Sequence, residues 1–196
     1  MGHPDLLSWA ETHLSRLTEE DRGDSCKGGI PLKTLYIIGG TMGVGKTTTC
    51  QHLKKILPDS VFLDGDWCWD SHPFQVTEET RHMVMDNICY LLNQFLRVSA
   101  YRNVIFCWVL HEQSIIDDLL SRLDLSGVCV RVISLVCDRE SLCARLTKDV
   151  AAGRREPDVI ERSVRRLPLY RGLLTEKLDV SAITAEEAAE RIATLP

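Results

Sequence analysis

The chain reads as a three-layer α/β domain, and three observations predict it. Strand-like apolar runs alternate with amphipathic helical segments from Leu32 onward. The connections between them are short, which implies right-handed crossovers and a parallel sheet covered on both faces. A glycine-rich loop sits where the first strand turns into the first helix, as a phosphate-binding α/β fold requires. At 196 residues the length suits one domain.

The elements follow in order. Residues 4–20 read as an amphipathic helix, with Leu7, Ala10, Leu14 and Leu17 at three- and four-residue steps. Asp21 to Pro31 has linker composition, so 1–31 is expected to be an N-terminal helical appendage and linker, and 32–196 the domain. Thr34–Gly39 is a β-branched and aromatic run, a buried-strand signal. A helix follows over Lys46–Leu57, stopped by Pro58, then a strand over Ser60–Asp64. A long helix is expected over Glu78–Ser99 and a strand over Asn103–Leu110. Then come a helix over 112–123, a strand over 128–137, and helices over 139–152 and 158–174. A short strand near 177–180 and a helix over 185–194 close the chain.

Composition excludes several classes. Hydrophobic residues make up 44% and charged residues 26%, enough for a core and too apolar for a disordered chain. The net charge of −5 argues against nucleic-acid and membrane-surface partners, both of which need a basic excess. The longest apolar run, Val104–Leu110, is strand-sized and far short of a membrane span. Eight cysteines without zinc-site spacing, and no secretory start, predict reduced thiols and a cytoplasmic protein.

Gly40-Thr41-Met42-Gly43-Val44-Gly45-Lys46-Thr47 is a full match to G-x-x-x-x-G-K-[ST]. Its glycines let backbone N–H groups wrap a polyphosphate, and the helix N-terminus adds a favourable dipole. The nucleotide-binding set is therefore Gly40, Met42, Gly43, Val44, Gly45, Lys46, Thr47 and Thr48, with Arg145 added from a later helix. Lys46 is expected to span the outer phosphates of ATP and Thr47 to hold Mg²⁺.

The second strand ends in Asp64-Gly65-Asp66, followed by Trp67. Ligands of open parallel sheets lie at the carboxyl ends of the strands, so Asp66 is expected beside the loop as acceptor base or metal ligand. Asp64, Trp67 and Arg81 are added as acceptor contacts. Between Asp138 and Arg171 nine basic residues face six acidic ones, making this segment +3 and the remainder −8. Gly153-Arg154-Arg155-Glu156-Pro157 breaks two helices there, so Arg155 and Arg166 are placed on a short lid over the transferring group.

These residues resemble the P-loop small-molecule kinases, the group containing adenylate, shikimate and gluconate kinases, over roughly Leu32 to Leu195. The likeness rests on the phosphate loop, on Asp66 after the second strand, and on Arg155-Glu-Pro-Asp158 with Arg166-Leu-Pro-Leu-Tyr170. It implies a five-stranded parallel sheet of order 2-3-1-4-5, ATP with Mg²⁺, and phosphoryl transfer to a hydroxyl or phosphate of a small acceptor. Lys46, Asp66, Arg155 and Arg166 would then be catalytic, Arg155 would also touch the acceptor, and Thr47 with Asp66 would hold the metal. Two departures stand out. The third strand runs Phe106-Cys107-Trp108-Val109-Leu110-His111-Glu112, without the aspartate of a Walker B motif. His111-Glu112 opens like a zinc-protease H-E-x-x-H, but Ile115 ends that pattern. The alternatives are a resistance-type phosphotransferase acting on an antibiotic, and a regulatory or ATP-hydrolysing module. Acceptor identity and protein partners stay open.

Overall fold

The computed structural model describes residues 33–195, so the expected helix over 4–20, the linker and the boundary at 31 lie outside the described residues. Five parallel strands form one sheet in the order β2-β3-β1-β4-β5. They are β1 (Lys33–Gly39), β2 (Ser60–Asp64), β3 (Asn103–Cys107), β4 (Val128–Val136) and β5 (Glu176–Asp179). Six α-helices connect and cover them: α1 (Lys46–Ile56), α2 (Glu78–Arg97), α3 (Gln113–Ser121), α4 (Arg139–Ala151), α5 (Val159–Arg166) and α6 (Ala185–Ala193).

Period-two alternation along β1 splits the core into two layers. Leu35 and Ile37 face a cluster built with Val84, Ile88 and Leu92 of α2 and Ile116 and Leu119 of α3. Tyr36 and Ile38 face the opposite cluster, with Cys50 and Leu53 of α1 and Ala188, Ala189 and Ile192 of α6. A third, smaller cluster of Leu142, Leu146 and Val159 joins α4 to α5 and takes Met42 of the phosphate loop against it.

Three boundaries differ from the sequence expectation. The third strand was expected to reach Leu110 but ends at Cys107. The chain keeps hydrogen-bonding to β1 past that point, through Trp108 N to Ile38 O and Gly40 N to Val109 O at 3.2 Å each. It then turns at Leu110, whose φ is +43°. The helix expected over 158–174 is two elements, because Pro168 cannot continue the α ladder: α5 gives way to a 3-10 turn, Leu167–Gly172. Gly65–Cys68 forms a 3-10 turn that the apolar pattern did not signal. Cys50, Cys68, Cys89, Cys107, Cys137 and Cys143 carry free thiols, whereas Cys129 is disulfide-bonded, which corrects the expectation of uniformly reduced cysteines.

Candidate functional site

The carboxyl ends of β1, β2 and β3 meet in one crevice. β1 delivers the phosphate loop, which departs from the strand at Gly40 and enters α1 at Lys46. Gly43 has φ +81°, and a Cβ there would collide with the Leu146 side chain of α4. Only glycine combines that backbone with so close a neighbour. The first turn of α1 has no side-chain cap and no acidic residue. Its free N–H groups and dipole therefore face the crevice, the arrangement that receives anions.

Lys46 Nζ donates to Thr41 O at 3.1 Å. Burial holds its ammonium pKa below the ordinary lysine value, while the fields of Cys107, Asp66 and Asp64 act in the opposite direction. The lysine thus sits within electrostatic reach of both aspartates. Thr41 Oγ1 in turn donates to Ser163 O of α5 at 3.0 Å, tying the loop to that helix.

Asp64 is the last residue of β2 and only 5% exposed. Its Oδ2 accepts from Thr47 Oγ1 at 2.6 Å, and its Oδ1 accepts from Asp66 N at 3.1 Å. One carboxylate thereby caps the Gly65–Cys68 turn and contacts the loop threonine. Asp66 is exposed, and its Oδ1 accepts from Trp108 Nε1 at 3.1 Å. Trp108 reaches it because Gly65 has no side chain: a Cβ there would meet Trp108 Cγ at 2.7 Å. Trp69 stands edge-on to both Trp108 and Phe74, with centroids 5.9 and 4.9 Å apart.

Arg145 bridges the loop and the far edge of the sheet. Its Nη1 donates to Val44 O at 3.2 Å and its Nη2 to Val180 O at 2.5 Å. Beside it a cavity of about 200 Å³ is lined by Gly45, Thr48, Arg145, Val180 and Ile183, among others.

The remaining expected residues are dispersed. Trp67 lies edge-on to Phe62, 5.2 Å between centroids, rather than joining the rings beside Asp66. Arg81 is exposed on the first turn of α2. Arg154 and Arg155 both pair with Asp149, at 3.2 and 3.3 Å, at the tip between α4 and α5. Arg162 and Arg165 form exposed i,i+4 pairs with Asp158 and Glu161. Arg166 is half-buried and close enough to His111 and Tyr170 to bias both titrations. His111 has a buried Nδ1 without a partner, and its imidazole pKa is lowered first by burial and then by Arg166. Tyr170 Oη donates to Val109 O at 2.6 Å, fixing the segment that carries Trp108 and His111.

The oxygen set of Thr47, Asp64 and Asp66 suits a hard cation such as Mg²⁺, which takes one or two carboxylates and completes its shell with phosphates and water. Among the described residues no group of three or more His, Cys, Asp or Glu side chains is placed to hold a metal by itself. Trp108, which donates to Asp66, and the rings of Trp69 and Phe74 beside it were not among the residues expected at the site from the sequence.

The model of the AAA domain family matches residues 37–164. No curated protein matches in sequence. Among solved structures, the tunicamycin resistance protein of Deinococcus radiodurans is similar with TM-score 0.65 and 23% identity, over 82% of this chain and 94% of that one. A gluconokinase from Sinorhizobium meliloti 1021 gives 0.58 and 19%, over 83% and 94%. Shikimate kinase from Acinetobacter baumannii, in complex with shikimate, gives 0.53 and 20%, over 82% and 90%. Among the described residues no helix is long and apolar enough to cross a membrane. With this sheet order, this phosphate loop and this family match, the chain belongs to the AAA domain family and has the fold of the P-loop small-molecule kinases.

Proposed function

We propose that the protein is an ATP-dependent phosphotransferase acting on a hydroxyl group of a small acceptor. The observation that carries this reading is the pair of aspartates at the end of β2. Buried Asp64 touches Thr47 of the loop, while Asp66, two residues on, is exposed and oriented by Trp108. A purely nucleotide-hydrolysing module has no need of a second, separately oriented carboxylate on the acceptor side.

The roles follow from position. The backbone of Gly40, Met42, Gly43, Val44 and Gly45 cradles the phosphates, with Lys46, Thr47 and Thr48 at the helix start. The cavity beside Arg145 and Thr48 receives the base end of the nucleotide. Mg²⁺, when bound with ATP, neutralises phosphate charge, and Thr47 with Asp64 would hold it. Lys46 stabilises charge on the transferring group. Asp66 accepts the acceptor proton and orients its oxygen. Arg166 at the lid base, and Arg155 once released from Asp149, cover the spread negative charge.

The test is ADP release with and without candidate acceptors, in wild type and in Lys46→Ala. Acceptor-stimulated release that falls by several orders of magnitude in the variant supports the proposal. ATP turnover indifferent both to every acceptor and to the substitution defeats it. The likeness to a tunicamycin resistance protein favours adding antibiotics to the acceptor set, since that reading shares the same site and differs only in acceptor.

A further inference from the structure

The acceptor flank of the crevice is made of rings rather than cations. Trp108 lies over Gly65 and holds Asp66, Trp69 follows it edge-on, and Phe74 follows Trp69. Trp69 and Trp108 are half-buried and backed by the α2-side core, so their positions are fixed. Phe74 is 57% exposed and ends the row. The row runs outward from the proposed base, so a compound with its hydroxyl on Asp66 lies along it.

Charge narrows the choice further. From Leu57 to Thr80 the chain has no lysine or arginine, against six acidic residues (Asp59, Asp64, Asp66, Asp70, Glu78 and Glu79). Arg81 is the first cation after them, and it is exposed on α2. A carboxylate or phosphate acceptor brought to Asp66 meets two aspartates whose neighbouring cation, Lys46, is taken up by the nucleotide phosphates in the scheme above, which disfavours it electrostatically. A flat ring meets matching π surface, worth about tenfold or more in affinity per stacked base.

We propose that this flank selects a neutral, hydroxyl-bearing acceptor with an aromatic or heteroaromatic ring, seated on Phe74 and Trp69 with its hydroxyl on Asp66. This rests on the phosphotransfer reading above. The acceptor oxygen forms a bond to the γ-phosphorus as the bond from that phosphorus to the β–γ bridging oxygen breaks. The hydroxyl proton passes to Asp66, and ADP leaves.

The experiment measures ADP release from ATP by the full chain with three acceptor panels: neutral nucleosides and aromatic alcohols, sugar acids, and nucleoside monophosphates. The expected result is a kcat/KM at least tenfold higher for the best neutral aromatic acceptor than for any anionic one. Phe74→Ala, at an exposed position, should raise the KM for that acceptor about tenfold with a smaller change in kcat, and Phe74→Tyr should restore it. Preference for a sugar acid or a nucleoside monophosphate overturns the inference and leaves phosphotransfer standing. So does an acceptor KM indifferent to Phe74→Ala. No stimulation by any panel defeats the phosphotransfer reading, and this inference falls with it.

Discussion

Thr47 and Asp64 are joined by a 2.6 Å hydrogen bond from the threonine hydroxyl to a carboxylate only 5% exposed. The contact puts the last residue of β2 against the first turn of α1, across the floor of the crevice. It matters because the third strand offers no acidic residue: its register position beside Asp64 is Cys107. The negative charge beside the loop threonine therefore comes from the neighbouring strand. In the proposed scheme Asp64, expected as an acceptor contact, takes the metal instead, and Asp66 faces the acceptor.

Asp64→Asn tests this arrangement. With its amide oxygen accepting from Asp66 N and its NH2 donating to the Thr47 hydroxyl, the asparagine keeps the local geometry, but the charge is lost. We expect kcat to fall by about 10²–10³-fold, the range for losing one charge-stabilising group, with saturation shifted to higher Mg²⁺. Steady-state rates across an Mg²⁺ titration measure both. An unchanged Mg²⁺ dependence would place the metal elsewhere.

Trp108→Phe separates the indole hydrogen bond from the ring. The substitution removes the donor to Asp66 Oδ1 and keeps most of the contact with Trp69 and the Gly65 backbone. One hydrogen bond to a charged group is worth about 1.5–3 kcal/mol, so acceptor-stimulated kcat should fall roughly tenfold or more. ATP KM should move far less. Equal losses in both parameters would mean that Trp108 supports the whole crevice rather than Asp66. Gly65→Ala should give a larger defect than Trp108→Phe, since its Cβ would meet the indole at 2.7 Å.

Much of this was legible in the sequence, for physical reasons that also mark where legibility stops. The phosphate loop could be read because its glycines, lysine and threonine act through local backbone geometry, with a strand before and a helix after. The sheet order came with the resemblance that loop carries. The different settings of Asp64, buried and bonded to Thr47, and Asp66, exposed and bonded to Trp108, could not be read. They depend on where β2 ends, on the 3-10 turn that Asp64 caps, and on a tryptophan 42 residues away from Asp66. The lid arginines were found by charge density, yet density does not distinguish partners. Arg155 is held by Asp149, while Arg166 lies within electrostatic reach of His111 and Tyr170. Pro168 ends the α ladder inside the segment expected as one helix over 158–174, because it lacks the N–H that the next turn needs.

Gly43→Ala should damage the loop and the lid together. The residue has φ +81°, and its added Cβ would press into Leu146, the fully buried centre of the α4–α5 cluster. A left-handed backbone costs an L residue about 1–2 kcal/mol, and overpacking adds about 1–3. For a chain of this size the two correspond to a fall in Tm on the order of 10 °C. Thermal unfolding measures the loss, and ATP binding by calorimetry should weaken in parallel. A variant of wild-type Tm and ATP affinity would show that the loop can move off α4 freely.

His111 should impose an acid limit on stability. Burial and the Arg166 cation hold its folded pKa below 6.5, and Glu112, whose Oε1 lies 3.3 Å from Nε2, only partly opposes them. The unfolded chain therefore binds a proton at a higher pH than the folded chain does. Stability from this residue is complete above about pH 6.5 and drains away as pH falls toward the folded pKa, because protonation favours the unfolded state. His111→Gln should flatten the Tm-against-pH curve below about pH 6.5. Arg166→Gln should raise the His111 pKa, read directly by NMR titration of the imidazole, and shrink the same slope. If His111→Gln leaves the slope intact, another group drives it. If Arg166→Gln leaves the imidazole titration unmoved, the arginine points away from His111 in solution, and its proposed place over the transferring phosphoryl group must be found by a different route.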